Sequence, residues 1–395
     1  MRTIRTIEEV CTQIVDCEHK TAPLDPEGEY FAVGTPAMRG NAINYEESRR
    51  ISKDTFIRWT RRMAPQQGDL LFAREAPVGP IVMIPDTGNI APGQRTMLLR
   101  PDPEQIDSRF LYYLLTSPRQ QELLLSQASG STVAHLNVAD VRAFELPPLP
   151  SVDEQRAIAE VLGALDDKIA ANTKLASTSA DLAGLIYDTA VSSRETQPMS
   201  HVLTPILGGT PPRANPAYWE EEYLWASARD VTSAPFGMIV DTAEKISNAA
   251  ATTTKAKPLP LGSVILTARG TVGAVARLAV PSSFNQSCYG FVPDALPPGI
   301  LYFSILRATQ RAKAIAHGSV FDTITMKTFD HLDIPVLCET SVETLESRIG
   351  PLLDVISEAV KENATLANTR DALLPQLMSG RLRVKDVADV VGSLV

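Results

Sequence analysis

The sequence has little of what would place it in several common classes. No stretch reaches the eighteen or so unbroken apolar residues that a membrane-spanning helix requires. Met1-Arg2-Thr3-Ile4-Arg5 leads into Glu8, Glu9 and Asp16, not into an apolar segment with a small-residue cleavage site, so no secretory leader is expected and the chain is expected in the cytoplasm. The 4 cysteines, Cys11, Cys17, Cys288 and Cys338, form no CxxC pair and have no histidine pair at zinc-finger spacing, which leaves reduced thiols as the reading. The 5 histidines, His19, His135, His201, His317 and His331, stand singly. A GxxxxGK[ST] loop, a GxGxxG after a strand, a GxSxG elbow and the Asp/Asn-Pro-Pro-aromatic element of an amino-methyltransferase are all missing. Asp166-Asp167-Lys168 imitates part of a metal nuclease site but has no paired acidic motif. No catalytic residue, metal ligand or cofactor is therefore assigned, and the chain reads as a binding subunit.

What is present is an ordinary globular composition, 44% hydrophobic and 21% charged over 395 residues, enough for two or more compact units. A net charge of −9 argues at first against a nucleic-acid partner, because phosphate binding leans on Lys and Arg. The charge is unevenly placed, however. Residues 51–100 hold 7 basic against 4 acidic groups and residues 251–300 hold 4 against 1, so each window carries +3 and the remainder −15.

Two basic islands about two hundred residues apart prompt a search for duplication. Tyr30-Phe31-Ala32 matches Tyr223-Leu224-Trp225, Gly68 to Phe72 matches Gly262 to Leu266, and Val78-Gly79 matches Val272-Gly273. Gln94 and Pro101 match Gln286 and Pro293, while Gly130-Ser131 and Pro147 match Gly318-Ser319 and Pro335. The anchors keep their order while the offset drifts by six residues, as small deletions in a second copy would produce.

Each copy ends in a helical pattern. Ile158, Leu162, Leu165 and Ile169 recur at 4-3-4 spacing, and Leu345, Ile349, Leu352 and Ile356 repeat it. Ser151 to Glu154 and Thr340 to Glu343 read as capping boxes. The first stripe is expected to run through Asn172 to Leu182 and Ile186, the second through Ala359, Asn363, Leu366 and Leu373 to a C-cap at Gly380. About forty residues at 1.5 Å each make a rod of roughly 60 Å, longer than one small domain needs. Asn172 and Asn363 near the seam are candidates for fixing register.

Within each copy, short β-rich runs such as Gly79 to Ile84 and Val264 to Thr267 accompany one helix-like stretch, Phe110 to Leu125 and Ile300 to Ile315. Arg194 to Met199 reads as a hinge. The expected class is α+β: two tandem mixed domains separated by two long helices packed as an antiparallel coiled coil, with a pseudo-two-fold repeat. The expected divisions are 1–150, 151–195, 196–339 and 340–395.

Such an object suits a DNA duplex with two half-sites, read by a few Arg, Lys, Asn and Gln at base edges while other cations grip phosphate. Candidates in the first copy are Lys53, Arg58, Arg61, Arg62, Arg74 and Arg95, with Gln94 as a base-edge or backbone-fixing amide. In the second they are Arg213, Arg229, Lys255, Lys257, Arg269 and Arg277, with Gln286 in the place of Gln94. A different class stays open: a coiled-coil scaffold whose globular units bind protein rather than DNA.

The chain resembles the DNA-specificity subunit of type I restriction-modification systems along essentially its whole length. Leu146 to Ile169, with its Glu154-Gln155-Arg156 run, looks like the start of that family's central conserved helix, and Arg370 to Gly380 like the end of its second. Gly208 to Arg213 through Asn215 to Trp219 and Trp225-Ala226-Ser227 is similar to the opening of a target-recognition domain, as is Asp16 to Pro23. The resemblance implies two target-recognition domains, each reading half of a split site, and helices that space them and dock two modification subunits and the restriction (motor-nuclease) subunits. S-adenosylmethionine, ATP and magnesium would then belong to those partner chains, with none held here. The second helix start, Val342 to Arg348, lacks the Glu-Gln-Arg run, so equivalence of the two docking surfaces does not follow.

Overall fold

A computed structural model describes residues 4–128, 134–220, 222–315, 323–387 and 391–392. The repeat anchors at Gly130-Ser131 and Gly318-Ser319, and His317, lie outside them. The chain divides into two compact units, Met1–Asp167 with Leu366–Val395, and Lys168–Thr365.

The first unit holds two sheets. In the larger, the strands lie in the order Cys11–Asp16, Thr96–Pro101, Leu70–Arg74, Val78–Met83, all antiparallel, with Leu70 opposite Leu99 and Phe72 opposite Met97. Leu70–Arg74 is buried along its whole length, as a central strand covered on both faces must be. In the smaller sheet Tyr30–Val33 lies between Arg49–Ile51, antiparallel, and Ile90–Pro92, parallel. Helices Ser108–Thr116 and Pro118–Gln127 follow, and Arg5–Thr6 pairs with Glu145–Leu146 to close the unit.

The second unit repeats this plan. Its larger sheet runs Ile206–Leu207, Cys288–Phe291, Val264–Thr267, Val275–Leu278, with one added edge strand, Met238–Ile239. Its smaller sheet places Tyr223–Ala226 between Glu244–Ile246, antiparallel, and Ser282–Phe284, parallel. Helix Pro298–Ile315 follows. The closing pair is Thr196–Pro198 with Asp333–Pro335, so the expected hinge at Arg194 to Met199 contains a strand.

Individual backbone bonds repeat as well. Arg74 N donates to Arg95 O at 3.1 Å and Ala268 N to Ser287 O at 2.7 Å. Leu136 N donates to Arg74 O, and Ile324 N to Ala268 O. Gly68 N reaches Ile84 O as Gly262 N reaches Leu278 O. The equivalent glycines Gly79 (φ 112°), at the start of its strand, and Gly273 (φ 77°), in the turn before its strand, both have positive φ, and each carbonyl accepts from a helical side chain, Gln121 Nε2 at 3.0 Å and Lys313 Nζ at 2.8 Å.

The central helix, Val152–Val191, and the C-terminal helix, Glu339–Met378, have 40 residues each. In the first unit Ile158, Leu162 and Leu165 are buried, and Arg370 Nη1 bonds Asp166 Oδ1 at 2.6 Å. In the second unit Asn172 donates to Glu362 at 2.6 Å, and Asn363 donates to the Ile169 carbonyl and the Thr173 hydroxyl. Rising numbers on one helix meet falling numbers on the other, so the pair is antiparallel.

Two expectations for these helices, the stripe through Leu182 and the capping box at Thr340, are corrected. Leu182 is 45% exposed, and the buried stripe instead continues through Asn172, Ala176, Ser179, Ala183 and Tyr187, at 4-3-4-4 spacing. Ile169 is half-buried. Leu352 and Leu373 are half-buried beside the buried Leu353 and Leu374, because the stripe drifts by one residue along each stretch. The second helix starts at Glu339, so Thr340 lies inside its first turn and does not cap it; the Thr344 hydroxyl bonds the Thr340 carbonyl. Ser151 does cap the first helix, through Glu154 N at 3.3 Å, and Gly380 (φ 70°) closes the second.

Candidate nucleic-acid interface

The same side-chain contact stands beside the smaller sheet of each unit. In the first, the Thr21 hydroxyl donates to Gln94 Oε1 at 3.2 Å; in the second, the Thr210 hydroxyl donates to Gln286 Oε1. Glycine allows both. A Cβ on Gly93 would stand 2.4 Å from Gly34 N, and one on Gly208 2.1 Å from Asn285 O, so the loops carrying Gln94 and Thr210 can close only without side chains there. Both glutamines are exposed, and among the described residues neither Nε2 has a partner.

Around Gln94 lies a concave site of about 310 Å³ lined by Thr21, Glu47, Arg49, Gln94 and Arg95 among others. Arg95 Nε is 3.3 Å from Glu75 Oε1, a loose and partly exposed pair. Arg61 pairs with Glu18 at 2.6 Å, and Arg62 donates to the Asp16 carbonyl at 3.2 Å. Lys53 opens the helix Lys53–Trp59, and Arg58 in its last turn lies over Trp59; both are exposed. Arg74 is a correction. It is buried and bonds Asp16 at 3.3 Å and the Leu136 carbonyl at 3.4 Å, so it braces the sheet and presents no charge to a ligand.

In the second unit Arg213 is held in place. Its guanidinium lies 3.6 Å from the Trp219 ring centroid and 5.4 Å from that of Trp225, and its Nη2 bonds Glu244 Oε2 at 2.8 Å. The Glu244 contact raises the Arg213 pKa and lowers that of Glu244. The Trp225 indole donates to the Gly209 carbonyl at 2.9 Å, which ties this aromatic floor to the Thr210 loop. Lys255, whose backbone packs on Gly209, and Lys257, Arg229 and Arg269 are exposed with no ion pair among the described residues. Arg277 is the second correction: it is buried and bonds Asp354 at 3.0 Å and Ser357 at 3.2 Å, joining its strand to the C-terminal helix.

Composition had left some participants unnoticed. Arg49 and Arg50 are the two residues just before the counted window of 51–100, and Lys20 sits between His19 and Thr21, exposed. The acidic partners Glu75 and Glu244 carry no sequence signal of their own. Asp166 and Asp167 accept from Tyr113 at 2.5 Å and Arg109 at 3.1 Å, which makes them anchors for the helix. Burial, followed by the nearby Asp166 charge, pushes the Tyr113 phenol well above its ordinary range. Among the described residues no three His, Cys, Asp or Glu gather as a metal would need, and no helix is long and apolar enough to cross a membrane.

The profile of the type I restriction-modification DNA specificity domain matches residues 3–178 and again 203–336, one match for each copy of the repeat. The chain belongs to that family. It is 20% identical over 406 residues to the specificity subunit of the type I restriction enzyme HindI of Haemophilus influenzae, covering 81% of this chain and 88% of that protein. It is 22% identical over 366 residues to the MjaIX specificity subunit of Methanocaldococcus jannaschii, covering 86% and 83%. The crystal structure of a type I system S subunit from M. genitalium superposes with a TM-score of 0.64 at 16% identity over 95% of both chains, a shared fold. Two specificity domains with long helices are thus the architecture of the family, and this chain has it.

Proposed function

We propose that this chain is the DNA-reading subunit of a type I restriction-modification complex, each unit contacting one half of a split target and the chemistry residing in partner chains. The observation that carries the reading is the pair of family matches falling on two units that each present an exposed glutamine, oriented by a threonine, among exposed cations. Lys53, Arg58, Lys255, Lys257 and Arg229 are available for phosphate, since none spends its charge on an ion pair among the described residues. The overall −9 charge is consistent with this role if partner subunits supply further neutralisation.

The partners are modification subunits that carry S-adenosylmethionine-dependent adenine methylation and restriction subunits that use ATP and magnesium. Docking on the helices is supported by Leu175, Leu182 and Leu185, which are 50%, 45% and 65% exposed at a 7-3 spacing along one face of the central helix. An apolar stripe of this kind is an unfinished helix–helix seam.

Single-molecule methylome sequencing of cells carrying the modification subunit, with and without this chain, tests the proposal. A split motif with a fixed gap, methylated at adenine in both halves only when the chain is present, is the expected result. Unchanged methylation would favour the scaffold alternative.

A further inference from the structure

The repeat allows the two units to be compared position by position, because their backbone hydrogen bonds establish which residues are equivalent. The bonds Arg74 N to Arg95 O and Ala268 N to Ser287 O equate Arg95 with Ser287, and the glutamines precede them in both units. The turn residues Ala76 (φ 49°) and Gly270 (φ 78°) share left-handed backbone, which equates Glu75 with Arg269. Strand register equates Arg49 with Glu244, since Ala32 faces Arg49 as Trp225 faces Glu244. Thr21 and Thr210 make the same contact, so three residues further on Leu24 corresponds to Arg213.

The Thr–Gln contact is therefore kept, and the charges around it are replaced at every one of these positions. Two domains that read different half-sites must differ where they touch bases, and can share only what touches the parts common to every duplex. The chemistry of the pair agrees. With its Oε1 accepting from threonine, each amide turns two N–H donors outward, and a face made of donors matches phosphate oxygens, which only accept. An amide reading adenine would instead use Oε1 and Nε2 together. The replaced positions carry base-reading groups: an arginine pairs with guanine O6 and N7, and a carboxylate accepts from cytosine N4. Each unit has one such pair, Arg95 with Glu75 and Arg213 with Glu244.

Resting on the DNA-reading function above, we infer that Thr21–Gln94 and Thr210–Gln286 are sequence-independent backbone anchors, and that Arg49, Glu75 and Arg95 in one unit and Arg213, Glu244 and Arg269 in the other select the bases.

The test uses the full chain assembled with its modification subunit. The probes are a duplex carrying the motif found methylated in cells and two duplexes with either half-site randomised. Gln94→Ala should weaken binding to all three by about tenfold, leaving both discrimination ratios unchanged, and Thr21→Val should act in the same sense. Arg95→Ser should cut discrimination at one half-site by about 10- to 100-fold and leave the other intact. The inference is overturned if Gln94→Ala narrows a ratio, if it affects no duplex, or if Arg95→Ser leaves both ratios in place. If the unsubstituted complex does not prefer the motif at all, the DNA-reading function itself has failed, a different result.

Discussion

The two units share their sheets down to single backbone bonds and both bury apolar faces of the long helices, but they differ in the polar contacts that accompany this burial. In the first unit the helices bury Ile158, Leu162, Leu165, Leu366 and Leu377, and charged contacts accompany that burial: Asp166 accepts from both Tyr113 and Arg370, and Asp167 pairs with Arg109. In the second the helices enter one continuous apolar cluster that runs from Ala176, Ala183 and Tyr187 through Ile300 and Phe303 to Leu345 and Val360. Its polar contacts lie both inside, where Arg277 bonds Ser357 and the Tyr187 and Ser304 hydroxyls share a hydrogen bond, and at the margin, with Arg307 on the exposed Asp188 and the Glu346 carboxylate accepting from the Gly299 and Ile300 amides. Duplication thus preserved the sheet, whose bonds leave little freedom, and the apolar burial of the helices, and let their charged contacts diverge.

Substitutions can break this contrast. Leu162→Ala, at a fully buried position, should cost about 2–5 kcal/mol in urea unfolding, while Leu182→Ala should stay within about 0.5 kcal/mol. Had the seam run through Leu182, the two would be alike. Asp166→Ala leaves Arg370 and Tyr113 without their shared acceptor and should cost about 2–3 kcal/mol, whereas Asp188→Ala, at an exposed ion pair, should cost under about 1 kcal/mol. Equal effects would erase the difference between the junctions.

The DNA-facing half of the comparison is sharpened by charge. Lys255→Glu with Lys257→Glu should weaken binding to every duplex and lower the salt slope of the association constant by about two, without moving the unfolding midpoint. Arg277→Met, at the buried counterpart, should leave binding untouched and stability within about 1 kcal/mol, since a methionine fills the space of a guanidinium whose Nε has no partner. The smallest effect concerns thiols. Hydrogen bonds from Ser341 and Thr340 lower the exposed Cys338 to about 7, while burial raises Cys11 and Cys288 to about 12. A thiol reagent at neutral pH should therefore label Cys338 first, by mass spectrometry of the digested protein, and slow as the pH falls below about 7.

Much of the fold was legible in the sequence because duplication converts single weak signals into paired ones. Val78-Gly79 and Val272-Gly273 mean little apart, yet together they mark a positive-φ glycine at the same place in each unit. The helix seam was legible only where leucine and isoleucine carry it. Beyond Asn172 it is lined by Ala176, Ser179 and Ala183, which a search for large apolar residues passes over, and Leu182 one position away took their place. Arg74 and Arg277 show the corresponding limit for the interface: residue type reveals a charge, but whether it faces a ligand or an internal carboxylate depends on contacts far away in the chain. The Thr–Gln contact joins residues 73 apart in one unit and 76 in the other, so Gln94 and Gln286 could be matched from sequence while their threonine partners could not.

The central claim is that two equivalent units each read half of one target. The most direct measurement replaces residues 203–336 with the matching segment of the first unit and sequences the methylome of cells carrying this chain and its modification subunit. The account predicts a motif whose two halves have become the same sequence in inverted order, with the half assigned to the second unit gone. A motif that keeps two different halves, or that is unchanged, would contradict it.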